Sequence, residues 1–192
     1  MGCYDVRTQE EPVRIRDGII SDVKQVPSNN CDARPDGEIS LIVIHCISLP
    51  AGHFDTDYVE ALFCNQLDCN AHQDFADLDG VKVSSHLFVR RDGQVLQFVP
   101  FQLRAWHAGK SSFLGRENCN DFSVGIELEG VEDGEYADRQ YEVLADVCRV
   151  MLKKWSLDSS RITGHSDIAP GRKRDPGPGF DWKRLRGKLQ DE

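Results

Sequence analysis

The run Ser-Leu-Ile-Val-Ile-His-Cys-Ile, residues 40–47, carries no formal charge and is rich in β-branched side chains. That is the composition of a strand buried on both faces, as found inside sheets covered on two sides. A second strand is legible in "FSVGIELEG", residues 122–130. Phe122, Val124, Ile126 and Leu128 alternate there with Ser123, Gly125, Glu127 and Glu129, a period of two that puts two carboxylates on one face. From Asp138, read as an N-cap, "DRQYEVLADVCRVMLKKW" spaces Tyr141, Leu144, Cys148, Met151, Leu152 and Trp155 as one face of a helix. A short strand at 161–163 follows. A strand, helix, strand succession implies a right-handed crossover and a locally parallel sheet. "VSSHLFVRRDGQVLQFVP" instead alternates and turns at Arg91-Asp92-Gly93, an antiparallel hairpin. The expected fold class is therefore α/β, with a central mixed β-sheet flanked by helices.

A chain of 192 residues, 40% of them hydrophobic, is long enough for one well-buried core and short for two. Residues 1–38 are polar and turn-rich and read as an arm packed on a single domain, 39–192. A helix is expected over 57–67, with Val59, Leu62, Phe63 and Leu67 on one stripe. Residues 104–120 show no period and read as a long loop, of the kind that often carries function. The stretch "GHSDIAPGRKRDPGPGFDW", 164–182, is broken by Gly and Pro and reads as irregular but stiff chain.

The net charge of −9 argues against a nucleic-acid binder, since neutralising phosphates needs a basic face. The basic cluster from Arg172 to Lys188 reads as solvated surface unless a small anionic ligand sits beside it. No segment reaches the roughly 18 apolar residues of a membrane span. The first dozen residues read as neither signal peptide nor lipid anchor, so a cytoplasmic protein without membrane contact is expected. Seven cysteines, an odd number without tight spacing, fit reduced thiols. Cys64, Cys69 and His72 form a local group, but three ligands at that spacing fall short of a closed zinc site.

His45 ends the first strand and His165 follows the last. In open α/β sheets the functional crevice lies beyond the carboxyl ends of parallel strands, so the two imidazoles can converge there. Asp175, ten positions after His165 on the stiff loop, can fold back to add an oxygen. Two nitrogens and one oxygen leave a fourth tetrahedral position for water, the arrangement of a catalytic zinc. The plain alternative is that each histidine is a hydrogen-bonded surface residue, and spacing alone leaves both readings open.

Five segments in order, "IVIHCISLPAG", "VSSHLFVRRDGQVLQFVP", "RAWHAG", "CNDFSVGIELEG" and "TGHSDIAPGRKRDPGPGFDW", resemble the zinc-dependent N-acetylmuramoyl-L-alanine amidases of the type 2 family. The likeness covers residues 20–186, and it is to members acting on 1,6-anhydro-muropeptides during cytoplasmic cell-wall recycling. It implies a peptidoglycan-recognition-type fold, Zn2+ on His45, His165 and Asp175, Glu127 as general base and Lys173 as stabiliser of the developing oxyanion. It further implies ligand contacts for Trp106, His107 and Lys82, and an anhydro-muropeptide substrate for a monomeric enzyme. Glu129 shares a face with Glu127, and only the motif's register favours Glu127. Cys46 and Asn118 depart from the pattern, standing where relatives commonly carry Asn and Arg. A broader peptidoglycan amidase and a non-catalytic recognition module are the alternatives; the second typically lacks a complete ligand set.

Overall fold

The computed structural model describes residues 13–190, so the first twelve residues of the expected arm, Cys3 among them, lie outside the described residues. Six strands form the central sheet: β1 (Lys24–Gln25), β2 (Leu41–Ile47), β3 (Leu87–Val89), β4 (Val95–Gln97), β5 (Ser123–Glu129) and β6 (Ile162–Gly164). Their spatial order is β6-β2-β5-β3-β4-β1. The first four run parallel, β4 turns back antiparallel to β3, and β1 lies parallel to β4. The sheet is mixed: the β3–β4 hairpin reverses direction, as do the connections from β1 to β2 and from β4 to β5, whereas those from β2 to β3 and, through α2, from β5 to β6 do not.

Alternation in β2 and β5 builds two separate cores. Ile42, Ile44, Val124, Ile126 and Leu128 face a long helix, α2 (Asp138–Trp155), and meet Tyr141, Leu144, Cys148 and Met151. Full burial of a Leu or Met side chain is worth about 1.5–3 kcal/mol, so this seam anchors the crossover. On the opposite face Leu41 and Val43 pack with Ala108, Cys119, Phe122 and Ile168. A third cluster gathers Phe88, Leu96 and Phe98 under α1 (Tyr58–Phe63). Gln140, buried at the start of α2, donates from Nε2 to the carbonyls of Val89 and Glu129, tying α2 to the carboxyl ends of β3 and β5.

Several boundaries differ from the sequence reading. α1 stops at Phe63; Asn65 adopts φ 58°, turning the chain so that Leu67 falls outside the helix. Asp138 is the first helical residue of α2 rather than its cap, and Gln140 reaches back to the backbone N–H of Ala137. The last strand begins at Ile162. The loop over 104–120 contains a hairpin of two-residue strands, Ser112–Phe113 against Arg116–Glu117, too short for any period to register. The stiff stretch holds one regular turn, α3 (His165–Ile168), and part of the basic cluster is a helix, α4 (Trp182–Gln190). That helix packs on α2: Leu185 is buried, the Arg184 guanidinium sits over the Tyr141 ring, and Arg149 donates to the carbonyl of Lys188. The Lys/Arg density hides this seam from a charge-based reading.

The segment before β2 also takes part in two small two-stranded sheets. Ile15–Arg16 pairs with Ile19–Ile20, and Cys31–Ala33 pairs with Leu103–Ala105. Buried Arg34 donates to the carbonyls of Phe101, Asn120, Asp121 and Ser123. Among the described residues no helix is long and apolar enough to cross a membrane.

Candidate metal centre and active-site cavity

His45 projects from the face of β2 that also bears Leu41 and Val43, away from α2. β6 pairs with β2 with Gly164 opposite Ile44, which sets His165, at the start of α3, beside His45. The backbone N–H of Ser166 donates to the carbonyl of Asp175 at 2.9 Å and draws the loop back over the strand ends. The result is a tight triangle: His45 Nδ1 lies 2.9 Å from His165 Nδ1 and 3.2 Å from Asp175 Oδ2, and His165 Nδ1 lies 2.9 Å from the same oxygen. All three side chains are buried.

This donor set fits a zinc ion. Bonds of about 2.0–2.1 Å in a tetrahedron place ligand atoms roughly 3.4 Å apart, close to the observed spacing. Protonation states agree. Burial pushes the His45 imidazole down to about 4. Burial alone would raise the Asp175 carboxyl, yet the His165 and His45 rings against it hold it well below the usual carboxylate range. His45 thus offers unprotonated nitrogen and Asp175 charged oxygen, the forms that bind a cation.

Beside it lies a cavity of about 320 Å³ whose wall includes Cys46, Trp106, His107, Glu127, His165, Lys173 and Asp175, with Leu62, Phe63 and Val83 among its apolar lining. Glu127 stands opposite His45 in the β2–β5 register, and its Oε2 is buried without a hydrogen-bond partner. Burial raises its carboxyl well above the ordinary value; the Asp175 charge adds to this and Lys173 opposes it. Glu129, two residues on, is committed elsewhere: its carboxylate accepts the backbone N–H groups of Asp55 and Arg91 at 2.8 and 3.1 Å. Of the two carboxylates on this face, only Glu127 lines the cavity.

The sequence profile of N-acetylmuramoyl-L-alanine amidases matches residues 35–178. The chain belongs to that family. It is 50% identical over 171 residues to the 1,6-anhydro-N-acetylmuramyl-L-alanine amidase AmpD of Citrobacter freundii, spanning 88% of this chain and 91% of that one. Identity to AmpD of Escherichia coli K12 is 49% over 179 residues, spanning 93% and 98%. A crystal structure of a selenomethionine derivative of AmpD superposes with a TM-score of 0.90 at 47% identity, covering 92% of this chain and 99% of that one. The amidase AmiD of Escherichia coli, solved with anhydro-N-acetylmuramic acid-L-Ala-D-gamma-Glu-L-Lys, superposes at 0.58 with 27% identity, covering 93% and 66%.

The remaining candidates of this amidase fall as follows. Lys173 is exposed on the cavity rim, its backbone N–H bonded to the carbonyl of Ala169. Arg174 turns away to Glu132 and Asp133. Lys82 borders a neighbouring pocket with Asn65, Cys69 and Asp79, not the cavity beside the triangle. Asn118, in a left-handed conformation, borders a separate groove with Lys110 and Arg172. Burial pushes the Cys46 thiol up to about 12, which keeps it neutral. Cys64, Cys69 and His72 are not drawn together: the cysteines bond to the carbonyls of Pro27 and Leu67, and His72 accepts from the N–H of Asp74. Two supporting residues were not among the site candidates of the sequence, which reads Arg172 as part of a solvated basic surface. Arg172 donates to the carbonyl of Ala108, which also accepts from His165 Nε2 and so orients that ring. Tyr136 donates to the carbonyl of Pro176, next to Asp175.

Proposed function

We propose that this amidase hydrolyses the amide joining the lactyl group of 1,6-anhydro-N-acetylmuramic acid to L-alanine of the stem peptide, with zinc on His45, His165 and Asp175. The observation that carries the reading is the triangle of bare ligand atoms beside Glu127, which lines the adjoining cavity and keeps a buried carboxylate oxygen without a hydrogen-bond partner. The choice of substrate is supported by relatives about half identical that are named for it.

A zinc ion there supplies Lewis acidity, to acidify a water and to polarise the scissile carbonyl. The chain's own residues do the rest. Glu127, with its raised pKa, accepts a proton from the attacking water and returns it to the departing alanine nitrogen; a carboxyl shifted toward neutrality suits both transfers. Lys173 places an ammonium at the cavity rim to stabilise charge developing on the carbonyl oxygen. Trp106 and His107 contact sugar or peptide along the wall, and Lys82, on the adjoining pocket, meets an anionic group further along the ligand. Catalysis is assigned to residues 39–192, with the described part of the arm, 13–38, joined to that domain through edge strand β1 and buried Arg34. The six described cysteines are free thiols, which suits a reducing cytoplasm and a role in cell-wall recycling.

The test compares defined anhydro-muropeptides with purified sacculi as substrates. Release of stem peptide from the former with little digestion of the latter is expected; the reverse preference points to a general peptidoglycan amidase.

A further inference from the structure

Behind His45 the structure contains a directed row of hydrogen bonds. Ser123, wholly buried at the start of β5, donates its single hydroxyl proton to the carbonyl of Cys119 at 2.6 Å. Toward His107 Nε2, 3.2 Å away, the same oxygen can therefore only accept. His107 must carry its proton on Nε2, leaving a lone pair on Nδ1. That Nδ1 lies 2.8 Å from His45 Nε2, so His45 donates from Nε2 and its Nδ1 is bare. The bare Nδ1 is the atom that meets His165 and Asp175.

The row is held from several sides. The carbonyl of Ser123 accepts from Arg34 Nη2 at 2.7 Å. The Asn120 side-chain oxygen accepts the backbone N–H groups of His107 and Ala108 at 3.2 and 2.8 Å. The His107 ring packs against Gly125, where a Cβ would collide with ring atoms Cγ and Nδ1. Glycine at 125 makes room for the imidazole, and both ring nitrogens of His107 are spent within the protein.

We propose that His107 is a positioning residue for the metal: through Ser123 it fixes the Nε2-protonated tautomer of His45 and aims the bare Nδ1 at the ion. This rests on the zinc site of the reading above, not on its substrate. Orienting hydrogen bonds to a metal-bound imidazole are commonly worth about 10–100-fold in metal affinity.

Long-range nitrogen–proton NMR of the imidazoles in metal-free wild-type protein reads the tautomers directly, and both His45 and His107 are expected to be protonated at Nε2. Zinc affinity, measured by competition with a chromophoric chelator, is expected to fall about 10-fold in Ser123→Ala and about 10–100-fold in His107→Leu. In His107→Asn it should largely recover, because the amide oxygen can accept from His45 in place of Nδ1. Protonation of wild-type His107 at Nδ1 overturns the proposal. So does equal loss in the Leu and Asn variants, or unchanged zinc affinity with only a raised KM. Failure to turn over anhydro-muropeptides, with tautomers and affinities as expected, overturns the substrate reading and leaves this one standing.

Discussion

At the scale of single residues the catalytic assignment turns on two carboxylates that share a face of β5. Glu129 is locked by the N–H groups of Asp55 and Arg91, whereas Glu127 keeps a buried oxygen without a partner. Glu127→Gln is expected to lower kcat about 10²–10⁴-fold while zinc stays near one per chain by metal analysis. Thermal stability should hold or rise, because a buried ionisable group without a full set of partners is removed. Loss of zinc would instead make Glu127 a ligand. Cys46 lines the same cavity, but burial holds it as a thiol, and thiolate is the reactive form. Iodoacetamide at pH 8 is therefore expected to spare Cys46 in the folded protein and label it after unfolding; rapid labelling of native Cys46 would contradict its assigned surroundings. The three ligands were foreshadowed in the chain because His45 lies near the carboxyl end of β2, His165 directly follows β6 and Asp175 stands ten residues on in the same stiff stretch. The separation of Glu127 from Glu129 came only from motif register: the groups that occupy Glu129 come from turns at residues 55 and 91, distant in sequence and without a local pattern.

At the scale of elements, the site depends on two loops held together. The loop after β5 and the loop bearing Asp175 meet backbone to backbone: the N–H of Gly179 donates to the carbonyl of Glu132 at 3.1 Å, and a Cβ on Gly179 would collide with the carbonyl of Gly134. Tyr136 adds its hydrogen bond to Pro176. Gly179→Ala is expected to cost about 1–3 kcal/mol by overpacking, seen as a lowered Tm, and to weaken zinc binding as the Asp175 loop is displaced. A variant as stable and as zinc-avid as wild type would show that the two loops are not coupled. The strands and α2 were readable because burial imposes a period on them. α4 was not, since only Leu185 of its residues is buried and the Lys/Arg run conceals its contact with α2. Two-residue strands such as Ser112–Phe113 are below the length at which a period exists.

At the scale of the whole molecule, the sheet concentrates neutral histidines in its interior. Burial pushes His45 down to about 4 and His86 down to about 3, whereas the unfolded chain protonates histidine near 6.5. The unfolded state therefore binds more protons between pH 6.5 and about 4, and stability falls as pH drops through that window. Metal-free protein is expected to have a lower Tm at pH 5 than at pH 7, with the raised carboxyl of Glu127 offsetting part of the histidine loss, and zinc should blunt the loss by withholding His45 from protons. A flat Tm over that range would contradict the buried neutral histidines. The central claim, that these buried groups assemble a zinc amidase for anhydro-muropeptides, is tested most directly by mass-spectrometric product analysis on a defined anhydro-muropeptide, with zinc and with chelator. The account predicts 1,6-anhydro-N-acetylmuramic acid, free or joined to N-acetylglucosamine, together with intact stem peptide, in the zinc sample alone. Cleavage at another bond, equal cleavage under chelation, or no cleavage by zinc-loaded protein would contradict it.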